Sequence, residues 1–295
     1  MKLLDEKIKK SLLDNLPPCL TDILQDISFL DLREIRLRSG KPIMLYYGEE
    51  VKILSNIFSP GDISDIFGWI CKNSIYAYLN EICSGFITLS GGHRVGISGE
   101  CVVSGNEITN VTNLCGINIR IAREFKGCGA ALMPHIKNGL TIKNTIIVAP
   151  PACGKTTMLR DIARIISQKH KVAIIDERSE LGALYLGEPQ FDIGPQTDVI
   201  SKAPKTLGMA MALRALSPDV IITDEVGTKE DIDAMEQVIG AGCKIITSIH
   251  GYSVESIKKT KGGLLSLFDT AITLKKENGV PKISKITDME EFTYD

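Results

Sequence analysis

The stretch TIIVAPPACGKTTMLRDIARIIS, residues 145–167, decides how the rest of the chain is read. Residues 145–148 make a short apolar run of the kind a buried strand needs, and the segment from Thr156 places Leu159, Ile162, Ala163 and Ile166 on one helical face. Between them, Gly154, Lys155 and Thr156 fill the last three places of the phosphate-loop pattern G-x-x-x-x-G-K-[ST], with Ala149 standing at the first. Such a loop works through inward-pointing backbone N–H groups and a helix N-terminus aimed at the anion. The strand–loop–helix context therefore separates a working site from a chance Gly-Lys-Thr turn. Pro151, Ala152, Cys153, Gly154, Lys155, Thr156 and Thr157 are the candidate nucleotide-binding residues. Lys155 would reach the β- and γ-phosphates of ATP, and the Thr156 hydroxyl would bind Mg²⁺. Ala149 ends the strand, where a methyl fits if φ stays negative. Pro150 and Pro151 preset φ and surrender early N–H donors, which stiffens the loop without silencing it.

Working outward, PDVIITDE (residues 218–225) closes an apolar run with Asp224 and Glu225. An aspartate at a strand end can order the Mg²⁺ shell, and a neighbouring glutamate can polarise the attacking water. A solvated pair capping a strand is the alternative, disfavoured because ligands of open α/β sheets collect at strand C-termini. KIITSIHG ends in Thr247, Ser248 and His250. Where an extra strand lies between the two motif strands, a polar residue here can sense the γ-phosphate, and His250 is the candidate; an exposed loop histidine is the other reading. AIIDERSELG ends its run with Asp176, Glu177 and Arg178. These carboxylates either act on the bound water or metal, or pair with Arg178 or a neighbouring arginine. The candidate catalytic set is Glu225, Lys155, Glu177 and His250; the candidate metal ligands are Thr156 and Asp224.

The apolar runs at NTIIVAP, KVAIIDE, PDVIITDE and CKIITSIH lack alternation, as parallel strands covered on both faces do. The first third differs. LREIRLRSGKPIMLYYGEEVKIL alternates and turns, GFITLSGGHRVGISGECVVSGNEITNV reads as glycine-punctuated hairpins, and residues 1–30 and 61–80 read as helices. The expected organisation is a smaller α+β domain over 1–128 followed by a doubly wound, mainly parallel α/β domain over 129–295, as a length of 295 residues suggests.

Apolar content of 44% and charged content of 24% suit a globular chain with ample core. A net charge of −2 and a pI near 6.1 give no bulk electrostatic drive toward nucleic acid or an anionic membrane. No apolar run nears the roughly 18 residues of a membrane span, and the mixed charges of MKLLDEKIKK do not read as a signal peptide. Membrane association is thus expected only through a partner. The eight cysteines show neither C-x-x-C pairs nor zinc spacing, which fits reduced thiols in a cytosol. Cys153, beside Lys155 and at a helix start, is either a thiolate-leaning nucleophile or a plain spacer. Arginines on N-terminal strands, Arg36, Arg38, Arg94, Arg120 and Arg123, include candidates to meet developing phosphoryl charge in a neighbouring subunit; Arg120 and Arg123 are the two preferred.

Taken together, EIRLRSGKPI, SGGHRVGISGE, INIRIARE, APPACGKTTMLRDIAR, IIDERSELG, GEPQFDIGP, ALSPDVIITDE and TSIHG resemble the stage III sporulation protein AA family, a branch of the secretion-type ATPases, from about Arg33 to about Ser256. The resemblance implies a RecA-like phosphate-loop ATPase domain and a hexameric cytoplasmic motor that serves a channel complex between mother cell and forespore through a membrane protein. By position it makes Lys155 and Thr156 the Walker A pair, Asp224 and Glu225 Walker B, Asp176–Glu177 the aspartate box and His250 the histidine box. Two rival functions are a nucleic-acid-stimulated ATPase, against which the acidic pI speaks, and a non-catalytic nucleotide-dependent scaffold, against which Glu225 speaks.

Overall fold

The computed structural model describes residues 2–277 and 280–289. The chain divides into two compact units that meet between Arg123 and Glu124. The expected boundary at 128/129 lay in the loop just beyond.

In the first unit, α1 (Lys2–Leu13) and α2 (Pro18–Leu24) flank the Pro17–Pro18 break; Pro18 supplies the fixed φ that suits a first helical position. Strands β1 (Glu34–Arg38), β2 (Lys41–Tyr47) and β3 (Glu50–Ile57) follow as tight antiparallel turns. Helix α3 (Pro60–Ile70) starts in a capping box, with the Ser59 hydroxyl accepting from the Asp62 amide and the Asp62 carboxylate accepting from the Ser59 amide. After α4 (Leu79–Cys83) come β4 (Phe86–Thr88), β5 (Arg94–Ser104) and β6 (Glu107–Arg120). The strands pair antiparallel in the order β3-β2-β1-β6-β5-β4. Period two decides the faces. Ile35 and Leu37 enter a core with Leu12, Leu20, Ile63, Ile66 and Phe67, while Arg36 and Arg38 take the opposite face beside Asn118 and Gly116 of β6.

Two polar groups tie this unit together. His93 is fully buried; its Nδ1 accepts from the Ala122 amide at 3.2 Å, so Nε2 carries the proton and donates to Ser11 Oγ at 2.9 Å, and Ser11 donates on to Ile8 O. Burial, then the nearby Arg123 charge, lowers the His93 pKa from 6.5 to about 4. Arg123 itself pairs with Asp5 at 2.8 Å and donates to the carbonyls of Phe29 and Leu32.

The second unit begins with α5 (Met133–Ile136) and a small ribbon, β7 (Lys137–Asn138) and β8 (Thr141–Ile142). Then come β9 (Thr145–Ala149), α6 (Lys155–Ile166), β10 (Val172–Asp176), β11 (Thr197–Ser201), α7 (Lys205–Ala215), β12 (Val220–Thr223), α8 (Lys229–Gly240), β13 (Lys244–His250), α9 (Val254–Leu265), β14 (Thr270–Glu277) and β15 (Val280–Asp288). The sheet order is β11-β10-β12-β13-β9-β14-β15, parallel except for the final β14–β15 hairpin. Helices cover both faces. Ile146 and Val148 of β9 point to the core of α7, α8 and α9, and Ile147 and Ala149 to that of α6. This is the doubly wound, RecA-like arrangement expected, with β13 inserted between β9 and β12. The β14–β15 hairpin went unread in the sequence.

Candidate functional site

Every candidate catalytic or metal residue of the second unit sits at or just beyond a strand C-terminus. Ala149 is the last, fully buried residue of β9, and its methyl belongs to the core, so the departure from glycine costs the loop nothing. The left-handed turns lie later, at Ala152 (φ 56) and at Gly154 (φ 81, ψ 19), the N-cap of α6. A Cβ at Gly154 would come within 3.1 Å of Pro281 Cγ besides holding a strained φ, so glycine is required there. Pro151 and Ala152 are exposed at the rim; Thr156 and Thr157 occupy the second and third positions of α6, half-buried.

A line of contacts joins this loop to the end of β12. Lys155 Nζ donates to Ala149 O at 3.2 Å, to Pro150 O at 3.1 Å and to His250 Nδ1 at 2.8 Å. Lysine only donates, so Nδ1 accepts, and the His250 proton lies on Nε2, 2.9 Å from Glu225 Oε1. Glu225 Oε2 takes Arg178 Nη1 at 3.0 Å. Burial lowers the Lys155 pKa and the Glu225 charge raises it, burial being the larger effect.

A second group lies beside it. Asp224 is buried, and burial pushes its pKa up to about 6 against the pull of Lys205. Lys205, the first residue of α7, is buried too; it pairs with Glu177 Oε2 and stands 3.8 Å from Asp224 Oδ1. Among the described residues that oxygen has no hydrogen-bond partner. Asp176 takes the opposite course: Oδ1 accepts the Glu180 and Leu181 amides and Oδ2 those of Gly182 and Ala183. Its lone pairs are spent on folding the following turn, and Asp176 has no role left toward metal or water. A cavity of about 460 Å³ opens between Arg178, Lys205, Glu225 and His250.

Three expectations change. Cys153 is buried against α6, and burial raises its thiol pKa over the opposing pull of Lys155 and Lys276, so it is no thiolate-leaning nucleophile. Arg123 is bound to Asp5 and two carbonyls of its own unit, which removes it as a donor to another subunit; Arg120, paired with Glu34 at 3.4 Å and mostly exposed, stays available. Arg178 pairs with Glu225 and not with Asp176 or Glu177. Lys205 as the partner of Glu177 and Asp224, and Arg178 as the partner of Glu225, were missed, because each pair lies far apart along the chain.

The family profile described as "Sporulation stage III, protein AA" matches residues 5–291. The chain belongs to the stage III sporulation protein AA family. Within it, the chain is 33% identical over 289 residues to "Stage III sporulation protein AA" of Bacillus subtilis (strain 168), covering 93% of this chain and 94% of that one. Among solved structures, this sporulation protein AA relative is similar in fold to the pilus retraction motor PilT with bound ADP, at a TM-score of 0.65 and 15% identity over 91% of this chain and 82% of that one. It is likewise similar to the Legionella pneumophila ATPase DotB, at 0.61 and 17% over 93% and 82%. Among the described residues, no helix is long and apolar enough to cross a membrane.

Proposed function

We propose that this chain is an ATP-hydrolysing motor subunit of the sporulation channel between mother cell and forespore. It would act as a homo-hexamer, held at the membrane by a membrane protein of that complex. The observation that carries the reading is the continuous line Lys155–His250–Glu225, which couples a phosphate-binding lysine to a carboxylate able to take a proton from water. Magnesium fits the site. Among the described residues Asp224 Oδ1 is buried without a hydrogen-bond partner, and the Thr156 hydroxyl stands in the first turn of α6. That donor set suits an ion that keeps waters and shares the nucleotide's phosphates; such an ion would supply charge neutralisation to the phosphates.

The chain's own residues do the rest. Lys155 exchanges two loop carbonyls and His250 for phosphate oxygens. His250, freed at Nδ1, then faces the γ-phosphate while keeping Nε2 on Glu225. Glu225, released from Arg178, positions water and accepts its proton. Glu177 stands one pair away, on Lys205, and sets the charge around Asp224. Arg120, mostly exposed, is the arginine left to serve a neighbouring subunit.

The test is Glu225→Gln. It should bind ATP as wild type does and lose turnover by at least about 100-fold, with sizing in the presence and absence of ATP reading out the hexamer. Undiminished hydrolysis removes Glu225 from the mechanism. Turnover that rises with single-stranded DNA and falls steeply with salt would instead favour a nucleic-acid ATPase.

A further inference from the structure

Lys205 is in a place where an ammonium is doubly disfavoured. It heads α7, where the helix dipole presents positive charge, and only 6% of it is exposed. Pro204 before it supplies no side-chain cap. A buried cation persists only with carboxylates in reach. Of the carboxylates at the ends of β10 and β12, Asp176 is held by four backbone amides, which stabilise its charge without cancelling it. Glu177 and Asp224 have no such cradle, and Lys205 is the cation set between them.

The two distances differ in meaning. Glu177 is in direct hydrogen-bond contact, which fixes the ammonium. Asp224 Oδ1 is 3.8 Å away, close enough for charge compensation but too far to use its lone pairs. The oxygen is therefore charge-compensated while, among the described residues, its lone pairs are left without a hydrogen bond in a buried position.

We propose that Lys205 is a positioning residue that serves as the resident cation of the Asp224 site and bars a divalent ion from it until a nucleotide brings its own negative charge. Asp176 and Glu180 add to the negative charge at Asp224 while Lys205 and Arg178 oppose it, and with Lys205 present a divalent ion at Oδ1 would have to stand near an ammonium. Triphosphate oxygens change that balance, so metal enters with nucleotide rather than before it. This rests on the reading of Asp224 as the metal ligand.

The probe is Mn²⁺ added to the full chain with no nucleotide, read as loss of the free-ion paramagnetic resonance signal. Wild type and Lys205→Arg should leave the signal at its free value. Lys205→Met should take up Mn²⁺ at least about tenfold more tightly, one compensating charge having been removed. Lys205→Met/Asp224→Asn should lose that uptake. Binding by Lys205→Met no tighter than wild type overturns the proposal, and so does nucleotide-free uptake by wild type itself, a result that needs no variant. Should Lys205→Met fold poorly, Lys205→Gln is titrated in its place, and Mn²⁺ should raise its melting temperature but not that of wild type; no rise overturns the proposal. Because the readout contains no ATP, a chain without ATPase activity leaves it intact, and an active chain indifferent to Lys205 refutes only this role.

Discussion

His93 makes the stability of the first unit depend on pH in a way that can be calculated. Its Nδ1 accepts from the Ala122 amide, so a proton placed there would set donor against donor inside a sealed pocket, next to the Arg123 charge. The ring stays neutral to about pH 4 when folded and titrates near 6.5 when unfolded. A folded pKa below the unfolded one means that the unfolded chain binds the extra proton. Stability is therefore full above pH 6.5, falls as the pH drops through 6.5, and stops falling below about 4. The gap of 6.5 − 4 at ~1.4 kcal/mol per unit gives a total loss of about 3 kcal/mol, of which about 2 kcal/mol is reached near pH 5. Trp69, the sole tryptophan, lies in α3 of the same unit and reports its unfolding by fluorescence. Urea titrations from about pH 7.5 to 5 should show the loss in wild type. Carboxylates titrate in the same window, so the comparison is with His93→Gln, whose amide can accept from Ala122 and donate to Ser11 without charging. The stability difference between the two should shift by about 2 kcal/mol in favour of His93→Gln on acidification. Parallel curves would refute the neutral, Nε2-protonated ring.

Cys153 should react with maleimide more slowly than the exposed Cys19, Cys101 and Cys115, and peptide mass spectrometry reads the order; fastest labelling at Cys153 would contradict its burial. Arg123→Ala should destabilise the first unit by about 3 kcal/mol, since it strands Asp5 and two carbonyls, whereas Arg120→Ala should move it by less than about 0.5 kcal/mol. If Arg120 serves a neighbour, Arg120→Ala should be inactive alone and regain turnover when mixed with Lys155→Ala; no recovery in exchanging oligomers counts against it. His250→Ala should keep nucleotide binding and lower turnover about 10- to 100-fold, and wild-type turnover would leave the line from Lys155 to Glu225 without function.

How much of this is legible in the sequence follows from the range of each cause. The phosphate loop is contiguous, so its strand, glycine and helix can be read together, and the unalternating runs of β9, β10, β12 and β13 report burial on both faces. The order β12-β13-β9 does not follow from those runs, because strand neighbours are set by pairings that only the fold supplies. Cys153 misleads because its charged neighbour is adjacent in sequence, while the burial that outweighs it comes from the packing of α6. Arg123 is settled by Asp5, Phe29 and Leu32, three points that only folding brings together. Lys205 gives no local signal: a lysine at a helix start reads as a solvated residue until Glu177 and Asp224 are seen around it.

The insertion of β13 fixes a length scale. With two inter-strand steps between β9 and β12, the residues ending those strands stand roughly 10 Å apart, beyond direct hydrogen-bond reach. Whatever passes from the phosphate end to the glutamate end must cross the tip of β13, where the chain places a single imidazole. Position 250 is thereby a site where turnover could be slowed or quickened while both flanking motifs keep their sequence. Divergence among relatives that share this sheet order would be expected to concentrate its adjustments of rate there.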